Sequence, residues 1–241
     1  MRRADSAQRT KDSFDKFYGH SRSVGADLIA DEAFRFEFEH CLSALKKTSG
    51  NRILDVGCGN GRYAIPLALQ GNYLVCVDVS VQALEALLKS AREFGVERSI
   101  ETRLGDFSRS PFDGEFDACL CVNLFHHVPD RGLMMQNIFN TLKTGGQLLL
   151  IEPNPRNVLW YVYYAAALRL HLEMGFLGST PVKIRRLATT AGFRDVRVIP
   201  VGLFPLSFGN TAPFLFDFYR WATRVPLLKE FAVFNLFVSE K

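Results

Sequence analysis

No C-x-x-C pair occurs among the five cysteines, Cys41, Cys58, Cys76, Cys119 and Cys121, and their number is odd. The pattern does not read as a disulfide framework. Cys76, Cys119 and Cys121 sit inside apolar, strand-like runs, which predicts buried, reduced thiols and a reducing compartment. No apolar run is long enough to cross a bilayer. The longest, Val158 to Leu168, falls far short of the ~20 residues required. The first residues, MRRADSAQRTKDS, lack an apolar h-region, so no secretory signal is expected and the cytoplasm is the expected location. There is no long basic run and no added nucleic-acid-binding motif, and a formal charge of +4 is modest. A nucleic-acid partner is therefore not expected. Repeats and low-complexity segments are absent as well.

What is present is 241 residues, 48% of them apolar. That suffices for one substantial domain with a real core. Buried-strand patterns alternate with helical ones. Strands are predicted at Arg52–Val56, Tyr73–Val79, Ser99–Leu104, Phe116–Val122 and Gln147–Glu152, with later ones at Asp195–Ile199 and Phe231–Val238. A helix is predicted within Ala26–Lys47, where Phe34, Phe38, Cys41, Leu42 and Leu45 have helical spacing. Ser80 is placed to cap the helix that buries Leu84, Leu87, Leu88 and Ala91. The helix Leu133–Leu142 is expected to stop at Gly145-Gly146. The class implied is α/β, a doubly wound, mostly parallel sheet. Ligands of such sheets lie across the carboxyl ends of the strands, where the turns at 57–61, 78–80, 105–107 and 123–127 converge.

The most informative stretch is ILDVGCGNG, Ile53 to Gly61. Gly57, Gly59 and Gly61 crowd the turn after the first strand, which lets a backbone approach a ligand closely. The dinucleotide fingerprint G-x-G-x-x-G is incomplete, because Arg62 stands where its third glycine belongs and Gly61 comes one residue early. Asp55 lies two residues before the first glycine. A carboxylate there repels a pyrophosphate by roughly 1–4 kcal/mol at 4 Å for effective dielectrics of 80 to 20. A cationic ligand without phosphate is favoured.

ILDVGCGNG, followed in order by VCVDVS, LGDF, FDACLCVNLFHHVPD and LKTGGQLLLIEP, resembles the class I S-adenosylmethionine-dependent methyltransferases over roughly residues 50–152. The resemblance is to the small-molecule type and reaches the C-terminal strands more loosely. Thr144 stands in place of the family's usual proline. The resemblance implies a Rossmann-like seven-stranded sheet of order 3-2-1-4-5-7-6 with the last strand antiparallel. It implies S-adenosyl-L-methionine as cofactor, S-adenosyl-L-homocysteine as product, and no metal. Asp55, Gly57, Cys58, Gly59 and Gly61 would line the cofactor site. Asp78 would accept both ribose hydroxyls, Val79 would pack on the adenine, and Asp106 would meet the adenine amino group while Phe107 covers the ring. Asn123 would lie near the amino-acid part of the cofactor. Residues 1–50 would form an N-terminal lid in which Tyr18 and Arg22 reach the cofactor carboxylate, against the alternative that FDKFYGHS is an ordinary surface helix, and residues 51–241 would form the methyltransferase domain.

Order and spacing carry more weight than any single motif. Asp106 alone is an ordinary G-D turn, and Asp78 alone a helix-entry acid. Three acids at three successive strand ends are hard to place by chance. Adjacent His126 and His127 do not share a helix face, and no third ligand has convincing spacing, so they do not read as a metal site. His127 matches a histidine that many O-methyltransferases of the family carry before "VPD". It and His126 are the candidate general bases, against the alternative that they only brace the loop.

The aromatic segments 153–179 and 203–229 read as substrate-side insertions after strands 5 and 6. Trp160, Tyr161, Tyr163, Tyr164, Phe204, Phe208 and Trp221 are among their rings. They suit an apolar or lipid-linked small-molecule acceptor, with weak membrane-surface contact through nearby basic residues. At least half of these rings are expected in the core or in a dimer interface, and a monomer and a homodimer are both open. NLFH after the fourth strand lacks the [ND]-P-P-aromatic pattern of nucleic-acid amino methylation. Two rivals stand beside methyl transfer: a non-catalytic scaffold that keeps the cofactor fold, and an NAD-type oxidoreductase. The incomplete fingerprint and Asp55 count against the second.

Overall fold

The computed structural model describes residues 24–25, 31–111, 115–166, 173–202, 221, 225 and 228–241. The chain runs α1 (Glu32–Ala44), β1 (Arg52–Val56), α2 (Ala64–Leu69), β2 (Tyr73–Asp78), α3 (Val81–Glu93) and β3 (Ile100–Leu104). It continues with β4 (Phe116–Val122), α4 (Arg131–Thr141), β5 (Leu142–Pro153), α5 (Val158–Ala166), α6 (Pro181–Ala191), β6 (Arg194–Val201) and β7 (Phe234–Glu240). The strands form a seven-stranded sheet of order β3-β2-β1-β4-β5-β7-β6. β1 to β5 pair in parallel, and β7 runs antiparallel to both β5 and β6. The order expected from the sequence is the one found.

The unbroken apolar runs of the central strands follow from burial on both faces. Ile53, Leu74, Cys76, Leu120, Leu149, Ile151 and Leu236 point to a layer containing Phe34 and Phe38 of α1, Ile65 of α2, Leu84 and Leu87 of α3, and Trp160 and Tyr164 of α5. Leu54, Val75, Val77, Cys119, Cys121, Leu148, Leu150 and Phe237 point to the opposite layer, with Met134 and Ile138 of α4 and Ile184 and Ala188 of α6. Side chains alternate across a strand, so the same residues that make a continuous run feed two cores. All five cysteines are free and buried in these layers.

Ser80 caps α3 as its position suggested, its Oγ accepting from Ala83 N–H at 3.2 Å. One boundary departs from expectation. Gly145-Gly146 does not separate helix from strand, because α4 already ends at Thr141 and β5 begins at Leu142. The pair makes an irregularity inside β5: Phe116 faces Leu142, yet Ala118 faces Gln147. Gly145 takes φ 77°. At Gly146 a Cβ would lie 2.9 Å from the Lys143 carbonyl oxygen and 3.1 Å from that of Phe116. A strand that must bulge so closely against its neighbour selects glycine.

At the other end of the sheet Gly61 holds φ 86°, and a Cβ there would lie 2.1 Å from Cδ1 of the fully buried Leu87. Gly61→Ala combines a left-handed backbone with overpacking and is expected to destabilise the protein by roughly 2–4 kcal/mol. Urea unfolding checks this; an unchanged midpoint would show that α3 yields freely at that contact.

Candidate active site

The carboxyl ends of the strands are stitched together by backbone bonds. Gly57 N–H donates to Val77 O (2.8 Å), Gly105 N–H to Asp78 O (2.9 Å) and Asn123 N–H to Ile151 O (2.9 Å). Gly57 and Gly59 adopt φ 70° and 54°. The turn is also held from the neighbouring strand: Asp78 Oδ2 accepts Gly59 N–H and its Oδ1 accepts Ser80 N–H, both at 2.9 Å. The Asp78 carboxylate thus joins the glycine turn to the start of α3.

Asp55 lies beneath that turn, only 2% exposed. Burial and the nearby Asp78 carboxylate push its carboxyl up to about 7. The expectation of a plain anion under the turn is modified accordingly: near neutrality this group is about half protonated. Its Oδ2 is buried and lacks a hydrogen-bond partner. Across the site, Asn123 holds φ 51°, uncommon for a residue with a side chain, and its Oδ1 is likewise buried without a partner. Two orphaned acceptors at adjacent strand ends call for a ligand that brings donors or positive charge. A ligand with an ammonium fits that requirement.

The other sequence-derived residues occupy varied settings. Val79 is half-buried and Cys58 is buried, its thiol pushed well up by burial. Asp106 is half-exposed and already busy, accepting from Ser108 N–H (3.0 Å) and Oγ (2.6 Å) and pairing with Arg109 at 3.2 Å. Phe107 is 3% exposed and belongs to the core layer of α4 and α6, so most of its ring faces protein. Tyr18 and Arg22 lie outside the described residues, as do Phe204 and Phe208. Trp160 and Tyr164 pack in the core, whereas Tyr161, Tyr163 and Trp221 remain exposed. No helix among the described residues is long and apolar enough to cross a membrane.

The loop after β4 forms a 3-10 turn, Phe125–His127. His126 is buried there. Its Nδ1 meets Glu152 Oε2 at 2.9 Å and its Nε2 meets Glu173 Oε2 at 3.1 Å. Burial opposes charge on the ring, but the two carboxylates outweigh it and push the imidazole up to about 9. With a proton on each nitrogen, His126 has no lone pair to offer as a base. The His127 ring lies tilted against it at 45°, ring centroids 4.0 Å apart. Burial and the neighbouring His126 charge push His127 down to about 4, against the pull of Glu173 and Glu152. His127 is therefore neutral at physiological pH. Ligand-type atoms of His126, His127 and Glu173 come within 4.8 Å of one another. The fold thus brings Glu173 beside the two histidines, a third group that the sequence spacing did not show.

Glu152, Glu173 and Arg131 were not singled out from the sequence. Glu152 ends β5 just as Asp55 ends β1 and Asp78 ends β2. That repetition was the signal available for it. Fully buried, it accepts from Phe125 N–H (2.9 Å), His126 and Ser179 Oγ (2.8 Å). Glu173 lies in the segment between α5 and α6, and no motif marks it.

Known proteins resemble the chain in sequence and in fold. Residues 54–150 match the family described as "Methyltransferase domain". The ubiquinone biosynthesis O-methyltransferase of Psychrobacter arcticus is 26% identical over 184 residues, covering 70% of this chain and 69% of that protein. Its counterpart from Alkalilimnicola ehrlichii is 31% identical over 137 residues, covering 56% of this chain and 54% of that protein. Among solved structures, the putative methyltransferase of Haloferax volcanii, in complex with the Trm112 activator, superimposes with a TM-score of 0.67 at 18% identity, covering 94% of this chain and 96% of that one. Phosphoethanolamine N-methyltransferase 2 of Haemonchus contortus, bound to S-adenosyl-L-methionine, gives 0.65 at 18% identity, over 95% of this chain and 60% of that one.

Proposed function

We propose that the chain is a class I S-adenosylmethionine-dependent methyltransferase, whose domain it matches over residues 54–150, and that it methylates a hydroxyl oxygen of a small, apolar or lipid-linked acceptor. The observation that carries the choice of oxygen is His127, a neutral imidazole beside a charged one at the end of β4. An amine can attack as its free base. A hydroxyl gains from a base that takes its proton as the new bond forms. The curated relatives named above are O-methyltransferases of ubiquinone biosynthesis, in keeping with an oxygen acceptor.

When bound, the cofactor supplies a methyl carbon on a sulfonium, a group already activated for displacement. The protein's task is mainly alignment. In this reading Asp78 holds the ribose hydroxyls with lone pairs beyond those given to Gly59 and Ser80. Asp55 and Asn123 face the cationic amino-acid end, and Gly57 to Gly61 keep the backbone close. His127 receives the acceptor's hydroxyl proton. Of the segment expected to form a lid, α1 reaches the site: its Glu37 accepts from Tyr63 Oη–H and pairs with Arg62 at 3.2 Å, tying that helix to the glycine turn. Exposed Val158, Tyr161 and Val162 on one face of α5 offer an apolar strip for a lipid-linked acceptor or weak contact with a membrane surface.

His127→Ala is expected to lower kcat by up to about 10²-fold, the low end of the range for a lost general base because a group held near 4 takes a proton weakly at neutral pH, with affinity for S-adenosylhomocysteine unchanged. Above pH ~5 the wild-type rate should show no ascending limb from His127, since a group held near 4 is already deprotonated there. Full activity in the alanine variant would remove the base from the mechanism.

A further inference from the structure

We propose that Glu173, from the segment between α5 and α6, is a positioning residue for methyl transfer. Together with Glu152 it grips His126 by both ring nitrogens, and the gripped ring fixes His127 at the end of β4. The inference rests on the reading of His127 as the base.

Three independent fastenings bring the 173–179 segment onto the turn that carries the histidines. Glu173 Oε2 accepts from His126 Nε2 at 3.1 Å and stands 3.5 Å from His127 Nε2. Ser179 Oγ donates to Glu152 Oε2 at 2.8 Å. Arg131 Nη2 donates to both His126 O (3.0 Å) and Gly175 O (2.7 Å), bridging the two backbones. The approach is so close that a Cβ on Gly175 would lie 2.0 Å from the His126 carbonyl oxygen. Such contact between two loops is selected only where one must be seated against the other.

The electrostatics have a consistent sign. His126, at 2% side-chain exposure, lies between carboxylates that are 0% and 17% exposed. Removing Glu173 would leave the cation paired with Glu152 alone and a buried Nε2–H without its acceptor. The groups facing His127 are His126, Glu173, Glu152 and Arg131. Tyr164 of α5 faces the same two carboxylates, which add to burial in raising its hydroxyl. Burial and, after it, the cation beside His127 keep it neutral, and Glu173 helps hold that cation in place. A segment on the acceptor's side of the fold thus governs the group that receives the acceptor's proton.

The test is Glu173→Gln in the full chain, read in two ways. NMR titration of the imidazole C–H signals, with no cofactor or acceptor present, should show the His126 midpoint falling by about one pH unit or more. Turnover should show kcat lowered roughly tenfold or more, with the Kd for S-adenosylhomocysteine unchanged. Gly175→Ala should give the same fall in the His126 midpoint and faster amide exchange over 173–179, because it unseats the segment while leaving Glu173 in the chain. An unmoved His126 midpoint in Glu173→Gln, or an unchanged kcat, would overturn the proposal. If the midpoint moves while His127→Ala retains full activity, the base reading has failed and the grip on His126 stands as structure alone, which also overturns Glu173's role in transfer.

Discussion

Replacing Asp78 with alanine is expected to weaken binding of S-adenosylhomocysteine roughly ten- to hundredfold, the equivalent of about 1.5–3 kcal/mol for a lost charged hydrogen bond. Two effects act together. The ribose loses its acceptor, and the glycine turn loses its tie, because Gly59 N–H and Ser80 N–H both end on this carboxylate. Each would be left a buried donor without a partner, which costs about 1–3 kcal/mol apiece where water cannot reach it. The ligand-free variant should therefore also unfold at lower urea concentration. Asp78→Asn separates the contributions. Its amide oxygen can serve one of the two N–H groups, so stability should recover in part while cofactor affinity stays low. Unchanged affinity in Asp78→Ala would refute the ribose assignment.

Asp55→Asn is expected to act in opposite directions on stability and on binding. The folded carboxyl titrates at about 7, above the ~3.9 of an unperturbed aspartate. The native state therefore holds a proton that the unfolded chain has lost between about pH 4 and 7, and stability falls as pH rises through that window. The cost of burying Asp55 is absent below pH ~4 and full above pH ~7. Asparagine removes it, so the ligand-free variant should gain on the order of 2–4 kcal/mol at pH 8 and nothing at pH 4. Cofactor affinity should fall in the same variant, since the site loses the charge that would meet a cation. A related result is expected of the wild type. A bound cation lowers the Asp55 carboxyl, so binding near pH 7 releases a proton, and the apparent enthalpy should differ between buffers of unequal ionisation heat. Equal enthalpies, with affinity intact in Asp55→Asn, would place the cofactor's charge elsewhere.

The sheet was legible because burial on both faces writes continuous apolar runs, and β1 and β4 begin and end where those runs do. The failure at Gly145-Gly146 is instructive. Glycine breaks a helix and also permits a bulge, and only the pairing of β4 with β5 distinguishes the two. The acids at the ends of β1, β2 and β3 were legible from their spacing. What those acids do in the folded protein was not. Asp55 is buried and titrates near neutrality, Asp106 caps its own turn, and Phe107 is packed in the core. The histidines were found without their roles. Adjacent positions in a sequence look equivalent, yet His126 is held between carboxylates that lie 26 and 47 residues away. A cation and its neutral neighbour follow from that asymmetry, which no local pattern encodes.

Transfer of an isotopically labelled methyl group from S-adenosylmethionine to a panel of phenolic and lipid-linked hydroxyl and amine compounds, with the product's labelled atom located by mass spectrometry, tests the central claim most directly. Label is expected on oxygen of an apolar hydroxyl acceptor, with loss of that product in His127→Ala. Label found only on amine nitrogen, or none on any acceptor despite tight binding of S-adenosylhomocysteine, would contradict it.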